Sequence, residues 1–165
     1  MTASTRAQDA PFDAVSEKRT FLFLQGPVGG FFPRLASGLE AEGHKALRIN
    51  LNTGDKLFWR VGGAHNYRGS FENWPDYLAD FLDRHGVTDI LLLGEQRPYH
   101  KVAVRLAKER GIHVTVTDFG YLRPDWITLE PFGMNAASRL TRDPDELRTI
   151  ASEYASERKI PAKRF

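Results

Sequence analysis

The amino-acid sequence predicts an α/β fold, a Rossmann-like parallel sheet of about four or more strands with helices on both faces. Three stretches with apolar residues at helical spacing each stop at a glycine, and a strand-like run follows each of them. These glycines, Gly43, Gly86 and Gly111, lie where the end of a helix favours a left-handed residue. Strands that alternate with helices form parallel sheets. The apolar run over residues 90–93 is typical of a central strand covered on both sides.

The predicted elements follow one another in the order strand, helix, strand, insert, helix, strand, helix, strand. The strands are residues 20–25, 45–50, 87–93 and 112–117. The helical patterns cover residues 32–39, 74–82 and 99–107, and a further amphipathic helix over residues 143–158 precedes a basic end. We therefore expect a disordered N-terminal tail (residues 1–19), a Rossmann-like domain (residues 20–142), and a C-terminal helix with a basic tail (residues 143–165).

The composition excludes several classes of protein. The 165 residues include 23 basic and 21 acidic side chains, a net charge of +2, without a run of five like charges, which argues against nucleic acid as a partner. The lack of cysteine excludes disulfides, cysteine-ligated zinc and thiol nucleophiles. The longest apolar runs are far too short for a transmembrane segment. We expect a cytoplasmic protein that could lie peripherally at the inner membrane.

Four loops follow the predicted strands, at the edge where open α/β sheets bind their ligands. The first, QGPVGG at residues 25–30, lacks the G-x-G-x-x-G spacing, and no acidic residue closes the second strand, so a nicotinamide cofactor is disfavoured. The loop is either a tight turn or a glycine-lined floor where a sugar or phosphate approaches main-chain N–H groups. Its candidate binding residues are Gln25, Gly26 and Gly29.

The loop GEQRPYH, at residues 94–100, delivers polar groups into the start of a helix. Arg97 offers a forked donor for a carboxylate or phosphate, and Tyr99 is a second binding candidate. The helix N-terminus disfavours protonation of His100, which would suit a neutral donor or base. The alternative is that Glu95 and Arg97 form a surface pair and His100 merely caps the helix.

Residues 118–130 form a long loop with carboxylates, aromatic rings and an arginine. Its candidates are Asp118, Tyr121, Arg123, Asp125, Trp126 and Glu130. In the alternative, the aromatic rings pack on the sheet and Arg123 pairs with Asp125. The remaining loop, residues 50–69, is too long for a simple connection, and its length predicts a binding loop or lid. Within it, we expect His65 to be a solvent-exposed histidine rather than a ligand. We find no metal-ligand spacing and no nucleophilic-serine motif.

Several sequence segments resemble those of the capsular polysaccharide biosynthesis and export family of KpsS/LipB type from Gram-negative bacteria. Between about residues 21 and 138 they are QGPVGGFFPRLASGLEAEGH, NLNTGD, YRGSFENWPDYL, LLLGEQRPYHKVAVRLAKERGI and GYLRPDWITLEPFGMNAAS. The resemblance implies a two-domain glycosyltransferase of the GT-B type, similar to β-Kdo transferases that use CMP-Kdo as donor. It implies that this chain is the N-terminal, acceptor-side half and that the nucleotide-sugar is bound mostly by a domain absent here, with no other cofactor.

The resemblance also implies partners and roles. The partners are an anionic sugar or glycolipid acceptor, and capsule assembly or export proteins or a second glycosyltransferase domain. Arg97 and Arg123 would bind anionic groups. His100 and Asp118 would transfer a proton or act as the nucleophile. Trp126 or Tyr121 would stack on a sugar ring.

One departure from the family pattern leaves the activity open. Relatives carry two acidic residues before the glycine that matches Gly120, whereas this chain has Asp118 and Phe119. Because phenylalanine can neither attack a sugar nor accept a proton, either Asp118 takes the role or the chemistry is weak or absent. We expect a glycosyltransferase if the donor half is supplied. The alternatives are a non-catalytic capsule assembly or export factor that binds polysaccharide or a partner enzyme, and a generic nucleotide-binding α/β protein.

Overall fold

A six-stranded sheet forms the centre of the protein in a computed structural model that describes residues 18–120, 126–134, 137–138 and 141–157. The strands are β1 (Thr20–Phe23), β2 (Lys45–Asn50), β3 (Ala64–Asn66), β4 (Asp89–Leu93), β5 (His113–Phe119) and β6 (Ile127–Pro131). Their order across the sheet is β3-β2-β1-β4-β5-β6, and the first five are parallel. The predicted Rossmann-like parallel sheet is therefore confirmed.

Two strands lie in segments that the sequence analysis treats as loops. β3 is a three-residue strand inside the long insert and pairs with the end of β2. β6 runs antiparallel to β5. Only residues 120–126 separate β5 from β6, and a parallel crossover needs about a dozen residues or more, so a return in the opposite direction is the pairing that this interval allows.

The helices are α1 (Phe31–Ala41), α2 (Thr53–Phe58), α3 (Trp74–His85), α4 (Pro98–Arg110) and α5 (Pro144–Glu157). As predicted, α3 and α4 end at left-handed glycines, Gly86 (φ 58°) and Gly111 (φ 68°). Both helices begin with a proline in the first turn, where the missing N–H is harmless. Within the described residues, no helix combines the length and apolar character needed to cross a bilayer.

Each face of the sheet carries its own apolar core, since successive side chains of a strand point to opposite faces. Leu22 and Leu92 pack with α3 and α4 in one core, which also holds the fully buried Trp74. Phe23 and Leu91 pack with α1 in the other. Helices therefore cover both faces, as the sequence predicts, and the carboxyl ends of the strands stay open between them.

Candidate functional site

A pocket of about 320 Å³ lies at the carboxyl ends of the strands, at the point where the strand order reverses. From β1 the chain proceeds to β2 on one side, whereas β4 lies on the other, and ligands of open α/β sheets bind at such a switch point. The lining comes from four segments: the loop and helix start after β1 (residues 25–33), the end of β2 and the α2 region (residues 48–59), the end of β4 and its loop (residues 93–97), and Phe119.

The loop after β1 forms one wall of the pocket together with the start of α1. Gly30 caps α1 without a side-chain hydrogen bond, and the first turn of α1 carries no acidic residue. The partial positive charge of that helix end is therefore not neutralised locally. The predicted binding residues Gln25, Gly26 and Gly29 all line the pocket.

Glycine is required at position 26 because the Phe32 ring lies against its Cα atom, and not because of its backbone angles. A Cβ atom at this position would overlap the ring of Phe32, which is buried and packs edge-on against Phe23. We expect Gly26→Ala to cost about 1–3 kcal/mol of unfolding free energy, because the Phe32 ring must leave its packed position. Urea unfolding measures the change.

Gly38 provides the matched control for that substitution. It lies in the interior of α1, and an added Cβ would meet no atom within 4 Å. Gly38→Ala should therefore raise the unfolding free energy by about 0.5–1 kcal/mol. Equal effects of the two alanines would contradict the assigned role of Phe32.

Arg48 brings a buried positive charge to the pocket from β2. Its exposed fraction is 4%, and Nη2 lies 3.2 Å from Oδ1 of Asp55, which is itself 9% exposed. Nε donates to Asn50 Oδ1 at 3.1 Å, and Nη1 donates to the main-chain oxygen of Leu24. The guanidinium carbon lies 5.5 Å from the ring centroid of Trp59. Burial lowers the pKa of Arg48, and Asp55 partly offsets that shift.

Asp55 is held in place by the start of α2. Its Oδ2 accepts from the main-chain N–H groups of Leu51 (2.9 Å) and Asn52 (3.3 Å), while its own N–H donates to Asn52 Oδ1 at 2.9 Å. This reciprocal capping box fixes both the helix start and the carboxylate. The predicted binding loop thus contributes Asp55, the acidic partner of Arg48, to the pocket, together with Phe58 and Trp59.

The β4–α4 loop places Arg97 at the pocket in an exposed position. Its Nη1 lies 3.4 Å from Gln25 Oε1, so the two predicted binding residues meet across the strand ends. Glu95 is buried and accepts a hydrogen bond from Gln96 at 3.0 Å. Among the described ion pairs none joins Glu95 to Arg97, which leaves the guanidinium available to a ligand.

His100 is completely buried in the first turn of α4, behind the pocket rather than in its lining. Nδ1 lies 2.7 Å from the main-chain oxygen of Gly94. Because a carbonyl can only accept, Nδ1 carries the proton and Nε2 holds a lone pair, for which the described residues provide no partner. Burial lowers the pKa of His100 to about 4, and the nearby Arg97 adds to the shift. The histidine is neutral, but burial is the main cause rather than the helix N-terminus.

Tyr99 packs among aromatic rings between α3 and α4. Its ring centroid lies 5.1 Å from that of Phe71 and 5.3 Å from that of Trp74, and its main-chain oxygen accepts from Trp74 Nε1. The ring is half-buried and does not line the pocket. Its environment is that of a packing residue.

At the end of β5, the pocket is lined by Phe119 and not by Asp118. The side chains of adjacent strand residues point to opposite faces, and Oδ1 of Asp118 accepts from the N–H of Phe119 at 2.7 Å. Trp126 is exposed, and Glu130 lies on β6 opposite Val116; neither lines the pocket. The candidates Tyr121, Arg123 and Asp125 lie outside the described residues.

The structure therefore brings together some candidates and adds others. Gln25, Gly26, Gly29 and Arg97 meet in the pocket. The sequence analysis predicted residues 50–69 as a binding loop, but it assigned no binding role to the individual lining residues Asn52, Asp55, Phe58 and Trp59, and it did not identify Arg48. Two signals were present: an arginine between the apolar residues Leu47 and Ile49 of a predicted strand, and the N-x-x-D capping pattern in NLNTGD. The described residues contain no group of three or more His, Cys, Asp or Glu placed to hold a metal ion.

Known proteins are similar in sequence to much of this chain. The model of the family described as "Capsule polysaccharide biosynthesis protein" matches residues 88–164. The capsule polysaccharide modification protein LipB of Neisseria meningitidis serogroup A is 39% identical over 126 residues, 75% of this chain and 30% of that protein. The capsule polysaccharide export protein KpsS of Escherichia coli is 39% identical over 132 residues, 80% of this chain and 34% of that protein.

The likeness to solved structures is weaker. A glycosyltransferase from Rickettsia africae matches 67% of this chain and 32% of that chain, with 15% identity and a TM-score of 0.46. The chain spans about a third of the length of the curated relatives it matches. The family-model match and the 39% identity to two capsule proteins agree with the shared sequence segments, and the chain is similar to proteins of the capsule polysaccharide biosynthesis and export family.

Proposed function

We propose that this chain forms the acceptor-side wall of a Kdo-type capsule glycosyltransferase and binds an anionic sugar or glycolipid acceptor in the pocket between β1 and β4. The observation that carries the proposal is the pocket itself: it lies at the switch point and joins Arg97 to a glycine-lined loop and a helix N-terminus. These groups suit an anionic sugar, since a guanidinium and main-chain N–H groups both donate to carboxylate or phosphate oxygens.

The described lining supplies binding rather than a nucleophile. Asp55 is its acidic residue, and both carboxylate oxygens already accept from the protein. In our proposal the CMP-Kdo donor is bound by protein outside this chain, and closure of the two parts excludes water and aligns donor with acceptor. Arg97 would hold the acceptor's anionic group, while the uncharged His100 supports the loop through Gly94.

Calorimetry with a Kdo-terminated glycolipid in detergent micelles tests this proposal. We expect saturable binding that weakens at least tenfold in Arg97→Met, since the exposed guanidinium loses its charged contact with the ligand. Arg105→Met is the matched control, because Arg105 is an exposed arginine of α4 that pairs with Glu109 and lies outside the pocket. No saturable binding by the native protein, or tight binding of NAD instead, would refute the proposal.

A second candidate function is a non-catalytic capsule assembly or export factor. It is favoured by Phe119, which lines the pocket at the position where the family resemblance implies an acidic residue. Phenylalanine can act neither as a nucleophile nor as a base. The two functions differ in turnover. The transferase hypothesis expects CMP release when CMP-Kdo, the glycolipid and a longer form of the protein are combined, whereas the assembly factor binds the glycolipid without releasing CMP.

A further inference from the structure

The buried ion pair of Arg48 and Asp55 is an unusual feature for a small apolar core. Both side chains are at least nine-tenths buried, and they lie on the face of the sheet that Phe23, Phe32 and Trp59 fill with apolar atoms. Taking two charges out of water is costly, and well-packed apolar residues often serve stability equally well or better. Stability alone therefore gives little reason for this pair, whereas its place in the pocket lining gives a functional one.

Arg48 has hydrogen-bonding capacity left for a ligand. A guanidinium carries five N–H donors. Within the described part of the chain, Arg48 uses one for Asn50, one for the Leu24 carbonyl and one towards Asp55. Two donors on the terminal nitrogens remain, on a side chain that lines the pocket.

The guanidinium is also fixed before any ligand arrives. Trp59 lies against it at 5.5 Å, and the Trp59 Nε1 donates to the main-chain oxygen of Gly62 at 3.0 Å, which anchors the indole. Asp55 is anchored in turn by two main-chain N–H groups. Binding to such a group costs little conformational entropy, because the arginine does not have to be ordered by the ligand.

The charge of the pocket specifies the ligand further. Its charged lining residues in the described chain are Arg48, Asp55 and Arg97, which leaves one net positive charge beside the N-terminus of α1. A ligand group with one negative charge, a carboxylate or a phosphodiester, balances that charge. A phosphomonoester with nearly two charges at neutral pH would leave one uncompensated.

We propose that Arg48, oriented by Asp55 and Trp59, recognises the anionic group of the ligand at the base of the pocket, and that Asp55 restricts the site to groups with a single negative charge. This inference deepens the proposed function and rests on it. The two remaining N–H donors of Arg48 would donate hydrogen bonds to the anion, and the exposed Arg97 of the β4–α4 loop would contact the same anion.

Three small probes at about pH 8, above the second phosphate pKa of about 6, test the charge rule. Free Kdo carries a carboxylate, glycerophosphoglycerol carries a phosphodiester, and glycerol 3-phosphate carries a phosphomonoester. We expect at least one monoanion to bind at least tenfold more tightly than glycerol 3-phosphate, and the monoanion that binds identifies the source of the charge. The Nε–H resonance of Arg48 should shift during that titration. A preference for the phosphomonoester would overturn the inference.

The double variant Arg48→Met/Asp55→Asn tests the residue assignment while keeping the interior free of an unpaired charge. We expect at least a tenfold loss of affinity for the monoanion, with a thermal midpoint near the native one. Arg110→Met, which removes an arginine paired with Asp83 outside the pocket, should bind as the native protein does.

The outcomes separate this inference from the function on which it rests. If the native protein binds a monoanion, Arg97→Met loses it and the double variant keeps it, then Arg48 has no role in recognition and only the inference fails. If the native protein binds neither the monoanions nor the Kdo-terminated glycolipid, the proposed function fails as well. Asp55→Asn gives a further check, since the added positive charge should move the preference towards glycerol 3-phosphate; an unchanged preference would contradict the role of Asp55.

Discussion

Replacing Arg48 alone by methionine is expected to lower the unfolding free energy by about 3–5 kcal/mol. The substitution leaves the Asp55 carboxylate buried and without its cationic partner at 3.2 Å. The two main-chain N–H groups that remain on Asp55 satisfy only part of the charge. Urea unfolding at neutral pH, with the midpoint and the slope both fitted, measures the loss.

The double variant Arg48→Met/Asp55→Asn gives the expected contrast. With both charges removed, stability should return to within about 1–2 kcal/mol of the native value, because an asparagine oxygen can still accept from the start of α2. A single Arg48→Met variant as stable as the native protein would mean that Asp55 is not held in a buried ion pair. In that case the pocket would not have the charge pattern from which its ligand was inferred.

Acidification is expected to destabilise the fold through His100. Its pKa is about 4 in the folded protein and about 6.5 in an unfolded chain, so the folded state holds the neutral form and binds fewer protons. The stabilisation is fully present above pH 6.5 and is lost progressively as the pH falls to about 4. At about 1.4 kcal/mol per pKa unit, the loss amounts to about 3 kcal/mol.

His100→Asn isolates this contribution. The asparagine amide can still donate to the Gly94 oxygen, but it does not titrate, so the unfolding free energy of the variant should change much less between pH 6.5 and 4. Some slope remains, because burial and the nearby His65 also lower the pKa of His85, which acts with the same sign. Identical pH profiles of the native and variant proteins would contradict the buried, neutral state of His100.

The order of strands and helices follows from local patterns, which is why much of the fold is predictable. Glycines at helix ends and apolar runs mark α3, β4 and α4 without knowledge of distant contacts. β3 is not predictable in this way, because three residues of the sequence AHN show no apolar alternation and form a strand only by pairing with β2. The direction of β6 depends on the chain length that separates it from β5.

The candidate site is harder to predict, because it depends on which way side chains point. Gln25 and Arg97 meet because both follow parallel strands that are neighbours in the sheet. Asp118 lies one residue before Phe119, yet strand alternation sends the two side chains to opposite faces. Arg48 is a charged residue in the sequence like any other, and only the fold shows that it is buried beside Asp55.

The central claim is that an anionic ligand binds between the carboxyl ends of β1 and β4. Mapping of amide and arginine Nε–H chemical shifts during a titration with the Kdo-terminated glycolipid in detergent micelles tests it most directly. We predict saturable shifts at Gly26, Gly29, Arg48 and Arg97, with one common dissociation constant. A second groove lies along α4 and is lined by Lys101, Lys108 and Glu109 among others. Shifts confined to that groove would contradict the claim.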